Sequence, residues 1–387
     1  MDEKGKNWQA DKMQIKNLRI ENYKLFQNLE LVFDGRRTIL FGINGSGKSA
    51  VLSAITQLFR VFLKQMNPAQ SKAFESLQDE MIHIDGDRLE IQATVALEEE
   101  YLLSRFYRRT VKNTRTSEAT YPKADYAKFR ENFRKLYLAD ELSGMPVFVC
   151  YGTNRAVPDI PDRIRTTHQY DQLSALERAA DPKTDFRAFF EWFMDREADE
   201  ILRMKDAEDY EYTDPALQCV RKAIESVMGD VKGLRVKRSP VRMVVDKGGR
   251  EIRVDLLSEG EKCTLAMIGD LARRLILANP AMENPLEGKG IVLIDEIELH
   301  MHPSWQRRIL SILKEVFPNI QFIVTTHSPQ VLGEADESFK IISLSLDMDE
   351  NGVGTDQIER MDGFDSNMIA GVFIRHSRML KNDEDHA

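Results

Sequence analysis

The chain has 387 residues, with 54 Lys and Arg against 63 Asp and Glu and a formal net charge of −9. At 42% hydrophobic and 30% charged residues it has the composition of a folded globular protein, which excludes a disordered chain. Its length allows two domains, or one large α/β domain carrying an insertion. The acidity argues against a surface given over to nucleic acid, since non-specific binding draws on Lys and Arg facing phosphates; local basic patches remain open.

The longest apolar runs, such as "GIVLIDE" and "VFVCY", fall far short of the roughly 20 residues that cross a bilayer, so no membrane span is expected. The polar, acidic opening "MDEKGKNWQADK" lacks the basic-then-apolar order of a secretory signal. Cys150, Cys219 and Cys263 are odd in number, far apart and without metal-ligand spacing. They read as reduced core thiols of a cytoplasmic protein.

In chain order, residues 13–42 hold three short strand-like runs, and "NGSGKS" then leads into "AVLSAITQLFRVFLKQM", where apolar residues recur at three and four as on a helix. Residues 88–111 alternate like an antiparallel pair, and 112–140 are polar with no clear period. "MPVFVCYGTNR" at 145–155 reads as a buried strand emptying into a loop, and 156–182 is irregular. From 184 to 228 two apolar stripes predict helices. "LRVKRSPVRMVVDKGGREIRVDLL" reads as two or three strands with "KGG" as a hairpin turn. "LSEGEK" at 257–262 opens the next long helix, followed by strand "GIVLIDE", a helix over 304–316, strand "QFIVTT" and a last strand near 339–344.

Three stretches carry chemistry. Gly42-Ile43-Asn44-Gly45-Ser46-Gly47-Lys48-Ser49 fits G-x-x-x-x-G-K-[ST]. Such glycines let backbone N–H groups close around phosphates at a helix N-terminus, with Lys48 reaching the β and γ phosphates and the Ser49 hydroxyl able to ligate Mg²⁺. In "GIVLIDEIELHMHP", four apolar residues run into Asp295 at the carboxyl end of what reads as a central parallel strand. Asp295 is placed to hold Mg²⁺ with its water, and Glu296 to polarise an attacking water. "FIVTTHSPQVL" ends a further strand in Thr325, Thr326 and His327, which puts His327 where a γ-phosphate would lie. His300 and His302 stand two apart, and His168, His376 and His386 are scattered, so a metal site built on histidines is not expected.

Together these strings resemble the ATP-binding-cassette ATPases of the SMC, RecF and OLD type: "GINGSGKS" the family's Walker A, "LSEGEK" its signature, "IVLIDE" its Walker B, "ELHMHP" its D-loop region and "TTHSP" its switch histidine. The resemblance covers residues 13–64 and 250–345. Glu259 stands where transporter cassettes usually have Gly, a departure shared with the non-transport branch, and "YGTNR" at 151–155 is the candidate Q-loop. More narrowly, "LSEGEKCTLAMIGDLARRLILANP", "LIDEIELHMHPSWQRRIL" and "FPNIQFIVTTHSPQVL", with "GFDSNMIAGVF" at 363–373, resemble anti-phage ATPases of the Septu kind, including PtuA proteins encoded beside retrons.

The resemblance implies an α/β fold: a P-loop ATPase head with a mixed sheet, helices on its faces and an antiparallel β subdomain, carrying an inserted, mainly helical region. Residues 1–111 would form an amino-terminal lobe, 112–230 the insertion, 231–345 a carboxyl-terminal lobe and 346–387 a tail. It implies ATP and Mg²⁺, bound by Asn44, Gly45, Ser46, Gly47, Lys48, Ser49 and Ala50, with Ser49 and Asp295 on the metal and Glu296 and His327 catalytic. Ser258, Glu259 and Gly260 would meet the γ-phosphate of a second copy, making a homodimer or higher oligomer. Such ATPases usually work with a separate HNH nuclease, PtuB; a complex with nucleic acid, or with a reverse transcriptase and its non-coding RNA, stays open. Residues 333–387 are too few for the Toprim nuclease of OLD proteins, so a nuclease is expected on another chain. Two other readings compete: a DNA-repair ATPase acting on DNA directly, and a transporter motor, which the Glu259 signature disfavours.

Overall fold

The structure is a computed structural model that describes residues 13–35, 37–66, 77–109, 119–138, 144–153, 170–183, 186–346 and 353–358. The chain opens with β1 (Gln14–Tyr23) and β2 (Phe26–Val32), an antiparallel pair. β3 (Arg37–Phe41) is buried from its second residue onward and delivers the chain to α1 (Lys48–Met66). β4 (Arg88–Leu97) and β5 (Glu99–Arg108) pair along their whole lengths, and the strict in–out alternation of β4 is that of a sheet with one face on a core. β6 (Ala119–Thr120) adds to the edge of β5.

α2 (Lys123–Leu138) lies in the stretch whose sequence shows no clear period. Its signal is aromatic: Tyr126, Phe129 and Phe133 recur at three and four and are all fully buried. Phe129 meets the Phe62 ring of α1 at 4.9 Å and the Tyr101 ring of β5 at 5.4 Å, both edge-on, the geometry that aromatic quadrupoles favour.

β7 (Val147–Tyr151) has no exposed residue. α3 (Phe186–Asp206) and α4 (Pro215–Met228) follow, the second started by Asp214, whose carboxylate accepts from the N–H groups of Ala216 and Leu217. β8 (Val231–Arg238), β9 (Val241–Lys247) and β10 (Arg250–Arg253) form a three-stranded antiparallel sheet. Gly248 and Gly249 turn β9 into β10 with φ of 56° and 75°, the left-handed backbone of a tight hairpin. α5 (Glu259–Ala278) is buried along nearly all its length, and β11 (Gly290–Ile294) wholly so.

Residues 304–316 are not one helix: α6 (Pro303–Gln306) and α7 (Ile309–Val316) are broken at Arg307 and Arg308. The first turn is pinned, since the Gln306 amide donates to the Met301 carbonyl and accepts from the Ser328 hydroxyl. β12 (Ile320–Thr326), α8 (Pro329–Leu332), β13 (Phe339–Leu346) and β14 (Val353–Ile358) complete the described chain.

The six-stranded sheet runs β14-β13-β3-β12-β11-β7, parallel except for β14. The five-stranded sheet runs β2-β1-β4-β5-β6. α1 packs against β4 and β5 on one side and against β12 and β7 on the other. A helix covered on both sides must be apolar all round, which accounts for the near-continuous run "AVLSAITQLFRVFL". α5 packs against β7, α3 and α4. The α/β fold expected from the sequence is therefore present. The 112–230 stretch, moreover, contributes β7 to the central sheet beside β11, and β14 comes from beyond residue 346. Cys150 and Cys263 are buried thiols and Cys219 is half-buried. Among the described residues no helix is long and apolar enough to cross a membrane. The segment 363–373, residues 154–155, and His168, His376 and His386 lie outside the described residues.

Candidate active site

β3, β12 and β11 lie side by side and all point the same way, so the loops after Phe41, Thr326 and Ile294 emerge on one edge of the sheet. That edge is where open parallel sheets bind ligands. The loop after β3 exposes Asn44 and Gly45 at its crest and buries Ser46. Gly47 has φ of 93°, and a Cβ there would lie 2.4 Å from the Phe26 ring; both the backbone and the space demand glycine. Lys48 folds back, its ammonium donating to the carbonyls of Gly42 at 2.7 Å and Ile43 at 2.8 Å, so it braces the loop across its opening turn. Burial holds the Lys48 ammonium below its ordinary pKa, opposed by the carboxylates of Asp295, Glu296 and Glu298. Ser49 is exposed at the helix start and Ala50 is buried behind it.

Asp295 meets this loop directly. Its Oδ1 accepts from the Ser49 hydroxyl at 3.0 Å and from the Thr325 hydroxyl at 2.6 Å, and its N–H donates to the Tyr151 carbonyl at 2.8 Å. Thr325 also accepts from the Glu296 N–H at 2.7 Å. Glu296 sits at φ 46°, a left-handed backbone that costs a non-glycine residue about 1 kcal/mol or more and concentrates at functional sites. Ser49, Asp295 and Glu296 are thus together, and Thr325, which sequence reading left without a role, is the hinge pin between them. His327, one residue past β12, is held by Glu298: Oε1 accepts from the His327 N–H at 2.8 Å and lies 3.0 Å from Nδ1. Glu298 is buried, with its Oε2 unpartnered among the described residues. The sequence signal for it was only a third acid beyond "DE".

A 150 Å³ cavity opens beside this cluster, lined among others by Ser49, Asp295, Arg60, Gly152 and Pro182. Gly152, in the candidate Q-loop, therefore shares a wall with Ser49 and Asp295.

The second group lies elsewhere. Ser258 caps α5, accepting from the Glu261 N–H at 3.4 Å, while Glu261 Oε2 accepts from both the Ser258 N–H and hydroxyl at 2.9 Å. This is a capping box. Burial pushes the Glu261 carboxyl up, but its bonds from Lys247 and Ser258 outweigh that and leave it below its ordinary pKa. Ser258 and Glu259 are exposed and Gly260 is buried. A Cβ on Gly260 would stand 2.0 Å from the His300 carbonyl oxygen, so this glycine is required where α5 docks on the loop after β11. Ser258, Gly260, His300 and Trp305 help line a separate 320 Å³ cavity.

Strand, phosphate loop and helix beside an acid-tipped parallel strand define a P-loop nucleoside triphosphatase head. A family model described as "AAA domain, putative AbiEii toxin, Type IV TA system" matches residues 37–333, and the chain belongs to that family. It is 30% identical to the retron Ec83 probable ATPase of Escherichia coli, over 86% of this chain and 72% of that one. It is likewise 30% identical to the retron Vc95 probable ATPase of Vibrio cholerae serotype O1 biovar El Tor, over 86% and 74%. The Septu protein PtuA of Bacillus thuringiensis is 24% identical over 87% and 76%. Among solved structures, the SMC head bound to the C-terminal winged-helix domain of ScpA superposes with a TM-score of 0.52 at 15% identity, covering 89% of this chain and 98% of that one. The chain is an ATP-binding ATPase related to the retron and Septu ATPases, on an SMC-head fold.

Proposed function

We propose that this ATPase closes head-to-tail into a dimer on ATP and, through that cycle, regulates a separate effector, an HNH nuclease, in anti-phage defence. ATP would lie along Asn44 to Ala50, its phosphates on the loop N–H groups and Lys48 moved from the two carbonyls onto them. Ser49 and Asp295 offer two adjacent hard oxygen donors, which fits Mg²⁺; when bound, that ion offsets the charge of the β and γ oxygens. Glu296 would orient the attacking water and take its proton, and His327, steadied by Glu298, would contact the γ-phosphate. Ser258, Glu259 and Gly260 would close over the γ-phosphate of the partner copy.

The observation that carries the dimer is the separation of the two groups. The cavity beside Ser49 and Asp295 and the one beside Ser258 and Gly260 share no lining residue, as expected if each loop is served by the α5 N-terminus of a second copy. Analytical ultracentrifugation of Glu296→Gln tests it: MgATP should double the mass, and Lys48→Ala should stay unchanged. A mass indifferent to ATP in both sinks the dimer. The retron and Septu relatives support the defence setting; the effector is tested by co-purification with a nuclease, together with plaque counts for Glu296→Gln.

A second reading, direct action on nucleic acid, draws on one feature. Lys237 stands directly opposite Arg242 across β8 and β9, and Lys247 opposite Arg250 across β9 and β10. Lys237 is ion-paired with Glu251 and Lys247 with Glu261, so these like charges are largely offset within the protein. The two pairs lie on opposite faces of β9, and a phosphate backbone would follow one pair only. Duplex binding that is lost with salt and in Lys237→Glu would favour it.

A further inference from the structure

The most deeply buried charged cluster in the described chain lies away from both phosphate-facing groups. Asp270, in the middle of α5, and Arg273 and Arg274 beside it are at most 2% exposed. Asp270 Oδ1 accepts from Arg273 at 2.9 Å, and Oδ2 accepts from Arg274 at 2.7 Å and from the Tyr151 hydroxyl at 2.9 Å. Burial pushes the Asp270 carboxyl up, but the two guanidinium groups outweigh it and hold it below its ordinary pKa, while burial drives the Tyr151 phenol well above its own.

Two routes leave this cluster for the nucleotide edge. Through the backbone of Tyr151, the carbonyl accepts the Asp295 N–H at 2.8 Å. Through Arg274, Nη1 donates to the carbonyls of Ala175 at 2.7 Å and Glu177 at 2.8 Å. That segment then runs along β7, where Ala179 accepts from the Cys150 N–H and Pro182 from the Gly152 N–H. Pro182 and Gly152 wall the cavity that Ser49 and Asp295 enter. A buried charge cluster is poor evidence for stability, because well-packed apolar residues of the same volume often serve as well or better. What it supplies here is register: the Tyr151–Asp270 bond sets α5 against β7, and the two Arg274 bonds set it against the segment at Ala175 and Glu177.

We infer that Tyr151, Asp270 and Arg274 are positioning residues that tie the setting of α5, whose N-terminus carries Ser258, to the placement of Asp295 in the same chain. Contact at the Ser258 end of α5 then shifts or seats the α5 register, and the seat is read at Asp295 through Tyr151. The inference rests on the reading of Ser258 as a contact for a partner's nucleotide.

The test is a double-mutant cycle on the full chain, with Tyr151→Phe, which removes one hydroxyl, and Ser258→Ala. Tyr151→Phe should lower kcat about tenfold, since misplacement of a site by a fraction of an ångström is costly, with KM for ATP and the nucleotide Kd within about twofold. In the Ser258→Ala background the same change should lower kcat less than twofold, because the contact it transmits is already gone. An equal fall of kcat in both backgrounds, or an unchanged kcat with only a lowered Tm, overturns the inference. If Ser258→Ala itself leaves kcat untouched, the dimer reading fails instead, and the two failures are told apart. Arg274→Lys, which keeps the charge but not both carbonyl bonds, should behave as Tyr151→Phe does; full activity there also counts against the inference.

Discussion

Gly260→Ala separates catalysis from stability at one methyl group. In α5 the helix itself would welcome the change, since alanine is favoured over glycine inside a helix by about 1 kcal/mol. The new Cβ, however, would stand 2.0 Å from the His300 oxygen and 2.8 Å from its carbonyl carbon. Both atoms are backbone, and His300 already sits at φ 61°, so the loop has little room to yield. Restoring ordinary contact, which begins at 3.4 Å, requires α5 and this loop to part by about 1.4 Å, and such overpacking costs about 1–3 kcal/mol. The opposing terms leave a net loss of about 2 kcal/mol at most, a few degrees in Tm. The rate should suffer far more, because on the proposed reading α5 carries a phosphate-facing terminus, and displacing that by about 1 Å or more costs on the order of a hundredfold. Calorimetry and steady-state ATP hydrolysis on the same preparation read both. Full activity with a raised Tm would refute the close approach of α5 to His300, and full activity with a lowered Tm would refute its place in the catalytic assembly.

Lys48→Ala removes the ammonium that now braces Gly42 and Ile43, and loss of a charged hydrogen-bond donor should weaken ATP binding by about 1.5–3 kcal/mol, roughly ten- to a hundredfold in Kd by calorimetric titration. Phe129→Ala empties a site ringed by Phe62, Tyr101 and Phe59 and should cost about 3–5 kcal/mol in urea unfolding; a loss under about 1 kcal/mol would contradict the packing of α2. Burial pushes Asp336 up, but the bonds from Lys314 and Ser338 outweigh it and hold the carboxyl at about 2. A folded pKa below the unfolded value near 3.9 stabilises above that pH and is lost as pH falls through about 2. Asp336→Asn should therefore lower Tm at pH 7 by the equivalent of less than about 1 kcal/mol, the pair being exposed, and the gap should close between pH 4 and pH 2.

What the sequence made legible is what local strings encode. The loop from Gly42 to Ser49, the apolar run into Asp295 and the strand ending at Thr326 are each contiguous, and each takes its meaning from the element before and after it. The α/β order followed from them. The helix over 123–138 was hidden because its three buried aromatics are set among Lys, Arg, Asp and Glu that dilute the apolar period. In the alternating pair over 88–111, Arg105 points inward to the Gln57 carbonyl and amide and Tyr107 is buried, since strand alternation turns every second side chain to the core. Thr325 on Asp295, Glu298 on His327 and Tyr151 on Asp270 are pairings across 29 to 119 residues, and no local period announces a partner on another strand. Gly260 was legible as part of the signature-like string "LSEGEK"; its approach to His300 required the fold.

The central claim, that each nucleotide site is built from two copies, is tested most directly by mixing two inactive variants. Lys48→Ala spoils a copy's phosphate loop and Ser258→Arg its α5 N-terminus, and each alone should hydrolyse no ATP. In a head-to-tail pair formed from one of each, one site combines the two spoiled halves and the other combines two intact ones. Random pairing should then restore about a quarter of the wild-type rate. A mixture no more active than its two components would contradict the account.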